Sequence, residues 1–578
     1  MIPRQSQTPA SLLVPRGTGE VAGYGTAKGE VDRSMPGIVT TTATGVQDTD
    51  ALFIGRQWAT GRLSYSFPTD PAFYGTSYGN GEPSLGFLPL NAQQQAMARE
   101  ILGLYAGIAN LSFMELAETA TQHADLRFAM TSATPTAWGY YPSTLDTGGD
   151  TWYRNDGTFS YPVPGTYAYH AFIHEIGHAL GLKHGQETTV FGAMTPAHDS
   201  MEYSVMTYRS YPGADGSYYY NEYSGYAQTL MLSDIAALQH MYGANFATRA
   251  GDTVYHWDPA SGRLSIDGIA QTAPADNRVF MTVWDGGGHD TYDLSAYMQG
   301  VSVDLRPGEW TVTAADQLAQ LGMGHQAIGN IANALLPDGD TRALIENAVC
   351  GSGDDSMHGN QASNTLDGGL GTDTLLLDGL PGDYLFAGRA VDFTVTSLGV
   401  TDHILNTEQV RFLGADLLLG IAALLLPPDD YRDTPSDMGL PLGHLAVGGT
   451  ASGHVGTAGD VDVFAVGLER GHRYVFTLAA SEGEVGLPGG AMELLGAHGD
   501  VLRADTDACG AGAQIAFTAR WSGSYDIAVH GLGDEVGAYL LSAEDVTPAC
   551  ADPGSGHGHG RDSWAFLAHQ AGWDHDLL

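Results

Sequence analysis

Apolar residues recur with helical spacing in three stretches of the first half of the chain. Between Asn91 and Asn110 they stand three or four residues apart, and Asn91 is a suitable N-cap. The same spacing predicts helices over residues 169–182 and 230–242, and Gly243 can end the last of them.

The pattern of polar and apolar positions then changes twice along the chain. Residues 125–130 alternate like a strand, so the first part mixes helices with a few strands. After Gly243, short β-type triplets stand between Asp, Asn and Gly, and beyond residue 426 alternating strands such as 474–478 and 525–529 indicate an all-β sandwich. We therefore predict a multidomain protein with five segments: a flexible leader or short pro-segment (1–50), an α/β (α+β) domain (51–245), a β-rich region (246–426), a β-sandwich (427–548), and a linker with a tail (549–578).

The charge balance limits the possible partners. The 578 residues include 66 acidic and 24 basic side chains, a formal net charge of −42. This field repels nucleic acid and anionic membranes, so we expect no nucleic-acid partner. It suits a chain that folds among divalent cations, although acidity can also serve solubility alone. No run of about 18 apolar residues is present, so we expect no membrane span.

The cysteines and the first residues of the chain add little to the prediction of fold or function. Cys350, Cys509 and Cys550 are too few to define a disulfide framework, although Cys509 and Cys550 could pair within one module and leave Cys350 free. Residues 1–19 lack the apolar core of a signal peptide, so an exported protein would use another route.

The candidate chemistry begins with the segment HEIGH at residues 174–178, inside the second predicted helix. Residues four apart share one helix face, so two imidazoles can bind one ion while Glu175 flanks it. Gly181 and His184 complete the pattern HExxHxxGxxH, which reduces a chance match to roughly one in ten thousand. Glycine suits position 181 because the helix must stop in a left-handed turn to bring a third histidine back to the metal.

Three neutral histidines and one open position describe a catalytic zinc site rather than a structural one. We predict one zinc ion bound by His174, His178 and His184. Such an ion lowers the pKa of water towards about 7 and polarises a carbonyl. Glu175 would be the general base that passes the proton to the leaving amine. The alternative, a buried histidine pair with an incidental glutamate, is disfavoured by the complete motif.

Residues 204–208, Ser-Val-Met-Thr-Tyr, turn this motif into a family resemblance. The chain resembles metzincin zinc proteases of the serralysin subfamily. The resemblance implies that Met206 forms the methionine turn beneath the zinc. It also implies that Tyr208 ligates zinc in the resting enzyme and swings away to stabilise the tetrahedral intermediate. Arg209 and Gly185 replace an aromatic residue and a proline that are usual in the family, and we expect them to affect pocket shape and specificity.

The resemblance extends to both sides of the motif. Residues 149–152 resemble the edge strand to which such enzymes add their peptide substrate, and residues 232–245 resemble the closing helix of the domain. We expect His170, His198 and His240 to be structural rather than zinc ligands.

A nine-residue glycine and aspartate pattern, GGxGxDxUx with U a bulky apolar residue, follows downstream. This repeat forms parallel β-rolls whose turns bind calcium through carbonyls and one carboxylate per repeat. Residues 368–375 match it fully, residues 350–357 match with Cys350 in the first glycine's place, and residues 359–366 are a degenerate copy with Asn364 where the aspartate belongs. Ordinary Asp-Gly turns are the alternative, which three consecutive repeats disfavour.

Several calcium ions are therefore expected. The repeats predict calcium ligands at Gly351, Gly353, Asp355, Gly368, Gly369, Gly371 and Asp373. The segment 285–290 and the serralysin resemblance imply further ligands at Arg249, Gly251, Thr253, Asp285, Gly287, Gly288, Asp290 and Glu346. The roll is expected to be short, with a β-rich cap over residues 383–426.

Residues 429–546 resemble the pre-peptidase C-terminal type of domain, a small β-sandwich attached to many secreted bacterial proteases. Its role could be substrate docking, shielding or secretion. Relatives with nonapeptide repeats leave the cell through a one-step exporter that reads a C-terminal signal, and residues 573–578 offer an acidic residue followed by apolar ones.

These features together predict a monomeric, secreted, extracellular zinc endopeptidase that calcium stabilises and that cleaves proteins or peptides. One alternative is a secreted calcium-dependent binding or adhesion protein with a vestigial metal site, against which the intact Glu175 argues. A second is a zinc hydrolase acting on other substrates, which the edge strand expected at 149–152 disfavours only mildly.

Overall fold

The chain forms two compact units, Met1–Leu425 and Leu426–Leu578. The computed structural model describes residues 35–425, 430–434, 441–481, 486–506, 512–533 and 535–548. The predictions made for residues 1–34, Cys509, Cys550 and the tail from 549 lie outside the described residues. The five segment boundaries expected from the sequence remain predictions.

Four α-helices belong to the first part of the first unit: α1 (Gln47–Asp50), α2 (Ala92–Ile108), α3 (Tyr167–Leu180) and α4 (Leu232–Tyr242). The three predicted helices are thus confirmed. Asn91 caps α2 as expected, because its side chain accepts from the Gln94 amide at 2.9 Å. Helix α3 begins two residues earlier than predicted, since Thr166 caps it.

A sheet lies beside these helices. Its strand order is Ser112–Glu115, Arg62–Ser66, Leu126–Thr131, Thr151–Arg154 and Ala137–Gly139, and Leu88–Pro89 pairs with the central strand. The first four strands are parallel, and Ala137–Gly139 runs antiparallel at the edge. Two further strands, Ile38–Thr40 and Arg56–Trp58, form a separate antiparallel pair.

The strand predicted over residues 125–130 is confirmed as Leu126–Thr131, and its residues are all buried, as in a central strand. One prediction about this sheet is wrong. Residues 149–152 do not form the edge strand, because Thr151–Arg154 lies between two neighbours and Ala137–Gly139 occupies the edge. The order of these strands in the sheet could not be predicted from the sequence, because it depends on pairings between distant segments.

Residues 254–420, the strand stack, follow in the same unit. Short strands begin at residues 347, 356, 365 and 374 and alternate between two sheets, so each turn of the chain takes eighteen residues and pairs in parallel with the one before it. The first sheet contains nine strands: Ile269–Ala270, Leu264–Ile266, Val254–Trp257, Thr291–Asp293, Asn347–Val349, Thr365–Asp367, Val400–Leu405, Asp392–Ser397 and Leu385–Arg389. The second contains five: Ser302–Asp304, Ser356–His358, Thr374–Leu377, Gln409–Phe412 and Leu417–Gly420.

Smaller elements complete the first unit. A three-stranded sheet joins Met281–Val283, Ile331–Asn333 and Trp310–Thr311, a hairpin pairs Gln320–Gly322 with His325–Gln326, and helix α5 spans Ile421–Leu425. The predicted cap is more regular than expected. Val400–Leu405 and Gln409–Phe412 pair in parallel with the preceding turns, so the stack gains a further turn before antiparallel strands close it.

The second unit is a sandwich of two sheets, as the alternating pattern predicted. The five-stranded sheet has the order Gly443–Leu445, Val461–Leu468, Gly523–Gly531, Gly490–Leu495 and Val501–Thr506. The four-stranded sheet has the order Thr450–Val455, Gly537–Asp545, Arg473–Ala480 and Ala513–Thr518. Their inward residues share one apolar core that includes Phe464, Phe476 and Tyr525. Among the described residues, no helix has the length and apolar character needed to cross a membrane.

Candidate metal centre and the turns of the strand stack

The fold brings the three histidines of the motif together. Helix α3 carries His174 and His178 on one face, and the metal-binding ring atoms of these residues and His184 lie within 4.8 Å of one another. Gly181 ends α3 with φ +112° and ψ 11°, the left-handed turn that the sequence required. A Cβ at this position would lie 2.7 Å from the carbonyl oxygen of Arg56, so both conformation and space demand glycine.

Each histidine ring is oriented by an acceptor for its Nδ1 proton. The pairs are His174 with the Val205 carbonyl (2.8 Å), His178 with the Leu182 carbonyl (2.7 Å) and His184 with the Glu187 carboxylate (2.6 Å). With Nδ1 donating, the Nε2 atoms carry lone pairs, and those of His178 and His184 stand 3.0 Å apart. Two facing lone pairs repel unless a cation lies between them, so this donor set fits zinc.

Glu175 lies beside the histidines on α3 and is buried. Among the described residues, its Oε2 atom has no hydrogen-bond partner. Burial raises the pKa of this carboxyl to about 8, and the backbone amide of Gly139 acts in the opposite direction. Gly139 belongs to the edge strand, and a Cβ there would lie 2.4 Å from the Glu175 carbonyl oxygen. The edge strand therefore passes directly against the helix that carries Glu175.

Met206 packs beneath α3. It is fully buried, and its sulfur lies 2.6 Å from the position that a Cβ on Gly177 would occupy. This contact explains why glycine stands between the two histidines of the helix. Sequence reasoning assigned no role to Gly177.

Asp234, in the first turn of α4, was also missed. It is fully buried and accepts hydrogen bonds from the Ser204 hydroxyl (2.6 Å), the Val205 amide (2.8 Å) and the Met231 amide (3.0 Å). Burial raises its pKa to about 6. Because the Val205 carbonyl in turn accepts from His174, Asp234 fixes the segment that orients a histidine of the cluster. The sequence indicates that Asp234 lies near the N-terminus of a helix. No nearby residue indicates its contact with Ser204 and Val205, about thirty residues earlier.

Aromatic side chains surround the histidines. The Tyr208 ring lies 4.4 Å from the His184 ring and 5.9 Å from the His174 ring, centroid to centroid. Burial, followed by the nearby Glu175 charge, raises the pKa of Tyr208. The Tyr141 ring meets His178 edge-on at 5.2 Å, a contact that the sequence did not indicate.

The two departures from the family pattern have structural roles. The Gly185 amide donates to the Met206 carbonyl at 3.4 Å, and a Cβ there would lie 2.6 Å from the Met194 sulfur. A proline would lose that donor and collide with Met194. The Arg209 guanidinium donates to the Asp199 carboxylate at 2.8 Å, which ties down the chain after Tyr208.

Other histidines lie outside the cluster. His198 pairs with the Asp48 carboxylate at 2.6 Å, and His240 binds the Thr42 carbonyl at 2.9 Å. His170 is buried, and its Nε2 lies 3.2 Å from the Tyr219 hydroxyl. These contacts match the structural roles expected of all three.

The turns of the strand stack form two rows. In the first row the backbone amide of one turn donates to the side chain of the next: Thr253 to Asp290 (2.9 Å), Asp290 to Glu346 (2.8 Å) and Asn364 to Asp402 (2.8 Å). In the second row the donors and acceptors are Val301 to Asp355 (2.7 Å), Asp355 to Asp373 (2.8 Å) and Asp373 to Glu408 (2.8 Å). Asp402 and Glu408 lie in the region predicted as a cap and continue these rows without any glycine repeat.

Three aspartates use only one oxygen in this way. Among the described residues, the Oδ2 atoms of Asp290, Asp355 and Asp373 are buried without a hydrogen-bond partner. Burial raises the pKa of Asp355 and raises that of Asp373 to about 6. Burial, and then the neighbouring Asp285 charge, raises the pKa of Asp290. Buried oxygens without donors fit a hard cation such as calcium.

The predicted glycines line these turns closely. A Cβ on Gly369 would lie 2.2 Å from the Gly351 carbonyl oxygen, and one on Gly371 would lie 2.1 Å from the Gly353 carbonyl oxygen. Gly368 similarly approaches the Asp373 carboxylate, with 2.6 Å from its Cβ position to Oδ2. Carbonyl and carboxylate oxygens thus gather where a side chain would exclude them.

The residues implied by the family resemblance gather at the first turn. The Gly287 amide donates to Asp285 at 3.0 Å, the Thr253 hydroxyl donates to the Gly251 carbonyl at 2.9 Å, and a Cβ on Gly288 would lie 2.6 Å from the Gly251 carbonyl carbon. Asp285 also accepts from the Tyr255 hydroxyl at 2.6 Å. The Arg249 side chain donates to the Trp284 carbonyl at 2.6 Å, and its Nε lies 3.8 Å from the Asp285 carboxylate.

Asn364 does not fit a calcium ion. Its amide nitrogen donates to the Glu346 carbonyl (2.9 Å) and to the Asn360 side chain (3.0 Å), and its oxygen accepts from the Asn360 amide (2.8 Å). The Glu346 and Asn360 oxygens, which a cation in this turn would bind, thus already accept hydrogen bonds from the Asn364 amide group.

Comparisons with known proteins agree with this description of the first unit. Residues 244–380 match the family described as peptidase M10 serralysin C terminal. The metallopeptidase AprA of Pseudomonas marginalis is 32% identical over 315 residues, which are 53% of this chain and 61% of that protein. Serralysin of Proteus mirabilis is 32% identical over 326 residues, 53% of this chain and 60% of that protein. The chain thus spans about three fifths of the length of these curated relatives.

A solved structure was compared with the sandwich. The pre-peptidase C-terminal domain of collagenase from Bacillus anthracis is 18% identical, covers 19% of this chain and 99% of its own, and has a TM-score of 0.16. That score is too low to support an assignment, so the sandwich is defined by its own strands. For the first unit, the family match and the relatives confirm the resemblance to serralysin-like metalloproteases that the motif HExxHxxGxxH indicated.

Proposed function

We propose that the protein is a secreted zinc-dependent endopeptidase that hydrolyses peptide bonds of extracellular proteins. The observation that carries this proposal is the arrangement of the three histidines, whose Nδ1 atoms are all engaged while their Nε2 atoms converge beside the unpartnered oxygen of Glu175. His174, His178 and His184 would hold one zinc ion, with Tyr208 as a further ligand in the resting enzyme. When bound, the ion supplies Lewis acidity, which polarises a carbonyl and lowers the pKa of water.

Glu175 would move the proton during hydrolysis. Its raised pKa allows it to take a proton from water and to release it to the leaving amine near neutral pH. Burial keeps the Tyr208 hydroxyl protonated, because its pKa lies above the ordinary value. This hydroxyl is therefore a suitable donor to the oxyanion that forms when water attacks the carbonyl.

The edge strand offers a way to orient a peptide. Within the described residues, Ala137–Gly139 pairs with Thr151–Arg154 on one side only, so its other edge can receive an extended chain. Gly139 brings this edge next to Glu175, so a peptide added there would lie along the helix with the histidines. We thus propose that a peptide substrate adds to Ala137–Gly139, and not to residues 149–152 as the sequence indicated.

The strand stack would be a calcium-binding parallel β-roll. Asp290, Asp355 and Asp373 each present a buried oxygen without a donor, and the glycines let carbonyl oxygens approach. Calcium binding would remove the cost of ionising these carboxylates and so stabilise the roll. The sandwich would be a pre-peptidase C-terminal type of domain, which its two sheets, antiparallel except for the pair Gly443–Leu445 and Val461–Leu468, support.

Digestion of unfolded casein tests the proposed function. The full chain with zinc and calcium should cleave casein, and Glu175→Ala should lose at least about a thousandfold in rate while keeping its zinc. Tyr208→Phe should also keep zinc and lose roughly a hundredfold or more in kcat.

His198→Ala is the matched control, because His198 is a histidine outside the cluster and should leave both zinc content and rate unchanged. Intact casein with the wild type, or equal cleavage by Glu175→Ala, would exclude this function. Zinc bound without cleavage of any protein would favour a vestigial site in a binding protein.

A further inference from the structure

The sandwich contains a groove that the proposed protease chemistry does not use. We call it the arginine groove: a volume of about 630 Å³ lined by Arg473, Arg503, Arg520, Phe517 and Trp521, together with small and apolar residues. None of its lining residues is acidic. This composition is unusual for a chain with 66 acidic and 24 basic side chains.

The groove forms where the two sheets of the sandwich end. Val501–Thr506 is the edge strand of one sheet, and Ala513–Thr518 is the edge strand of the other. Arg503 lies on the first edge strand, while Arg473 pairs across from Thr518 on the second. Both sheets therefore contribute arginines to one concave site.

The three arginines are exposed and available. Residues 430–548 contain five arginines and no lysine, so three of the five cations of this region line one groove. Within the described part of the chain, none of the three forms an ion pair, and Arg503 donates to a main-chain carbonyl, that of Leu502, at 2.7 Å. Asp505, on the same edge strand, accepts from the Gln514 amide at 2.8 Å. Guanidinium groups without carboxylate partners are suited to bind anions in bidentate fashion.

Trp521 adds a flat apolar face beside these charges. Its side chain is 40% exposed, and its ring stacks on that of Tyr525 with centroids 4.9 Å apart and planes 14° apart. The Tyr525 hydroxyl also donates to the Trp521 carbonyl at 3.2 Å. One face of the indole is thus fixed against the sandwich, which leaves the other to meet a ligand.

We propose that the arginine groove binds an acidic polysaccharide, with sugar carboxylates on the arginines and a sugar ring on Trp521. A uronic acid carries its charge and a broad flat face on one rigid unit, as this groove requires. An acidic peptide carries carboxylates on flexible side chains, and the Asp505–Gln514 hydrogen bond joins the two edge strands where a peptide strand would have to enter.

The small number of cations in the groove separates this ligand from nucleic acid. Single-stranded nucleic acid also uses stacking and cations, but it needs a positive groove that follows several phosphates. The three arginines of this one groove do not supply such a track. At physiological salt the Debye length is about 8 Å, so repulsion from acidic side chains farther away is largely screened. The side chains of the groove therefore determine whether a ligand that lies within it binds.

Calorimetric titration of the full chain at about 0.15 M salt tests this proposal. Four probes are compared: polygalacturonate, its fully methyl-esterified neutral form, poly-L-glutamate and oligo-dT. Polygalacturonate should bind and the neutral form should not. Arg503→Ala, Arg520→Ala and Trp521→Ala should each weaken binding by about tenfold, as expected for the loss of one charge-assisted bond or one stacked ring.

Arg389→Ala removes an exposed arginine from the other unit and should leave binding unchanged. All these variants should cleave casein at the wild-type rate, so failure here is distinguishable from failure of the protease proposal. Equal binding of the neutral polymer, tighter binding of poly-L-glutamate or oligo-dT, or unchanged affinity in the arginine variants would overturn the proposal.

Discussion

The histidine cluster and the turns of the strand stack are organised in opposite ways for the metal ions that we propose they bind. At the cluster, each ring is already held by an acceptor for its Nδ1 proton, and Asp234 fixes the segment that includes one of those acceptors. In the turns, Asp355 and Asp373 each accept with one oxygen from a backbone amide of the preceding turn, and the other oxygen is buried without a donor.

This difference indicates what each ion contributes. Ligands that the protein orients by itself need a metal for chemistry but little for folding. Buried carboxylates with raised pKa values destabilise the fold once they ionise, so a cation completes the structure there. We therefore expect the first part of the unit to persist without zinc, whereas the strand stack should depend on calcium.

The largest expected effect comes from Asp373→Asn. With calcium present, the lost charge should raise the calcium concentration at the folding midpoint on the order of a hundredfold, because ligand charge sets affinity. In a chelator the sign should reverse: the amide does not ionise, so the variant should be more stable than the wild type above pH 6. Thermal melts over a range of calcium concentrations measure the shift in midpoint, and melts in chelator measure the reversed difference in stability.

The pH dependence of the same melts supplies the control. Folding raises the pKa of Asp373 to about 6, so its proton stabilises the fold fully below the unfolded pKa of about 4. This contribution is lost as the pH rises through about 6. Metal-free wild type should therefore lose stability between pH 4 and 7, and Asp373→Asn should lose less. Parallel curves for the two proteins would contradict the account.

The sequence predicted these two sites unequally, for a physical reason. The histidine spacing and Gly181 are local consequences of helix geometry, so they could be inferred from a few residues. Asp402 and Glu408 continue the rows of turns without the repeat motif, because only the pairing of distant strands brings them into line. The edge strand was misplaced for the same reason, and Asp234 acts across thirty residues on the methionine turn.

Glu187→Ala should have the next largest effect, on zinc rather than on folding. Loss of the acceptor for His184 Nδ1 frees that ring to rotate, so zinc affinity should fall about tenfold to a hundredfold. Glu187→Gln keeps an acceptor for His184 Nδ1, so its zinc affinity should fall less. Competition with a chromogenic chelator measures both, and a melting temperature that drops as far as for Asp373→Asn would remove the contrast between the sites.

Asn364→Asp should have the smallest effect. A carboxylate there loses the two donations to Glu346 and Asn360 and regains the ligand of the nine-residue pattern. The variant should bind one more calcium ion than the wild type in equilibrium dialysis, with a small change in stability at saturating calcium. An unchanged ion count would show that this turn is closed to calcium for reasons other than the amide.

Hydrogen exchange of the full chain, with each metal withdrawn separately, tests the central claim most directly. Without calcium, the amides of Ser356–His358 and Thr374–Leu377 should exchange at least about a hundredfold faster, because the turns that join these strands would lose the cations proposed for them. Without zinc, α3 and residues 204–208 should change by less than about tenfold. Comparable loss of protection in α3 on zinc removal, or strands that stay protected without calcium, would contradict the distinction between a cluster that the fold prepares and turns that the ion completes.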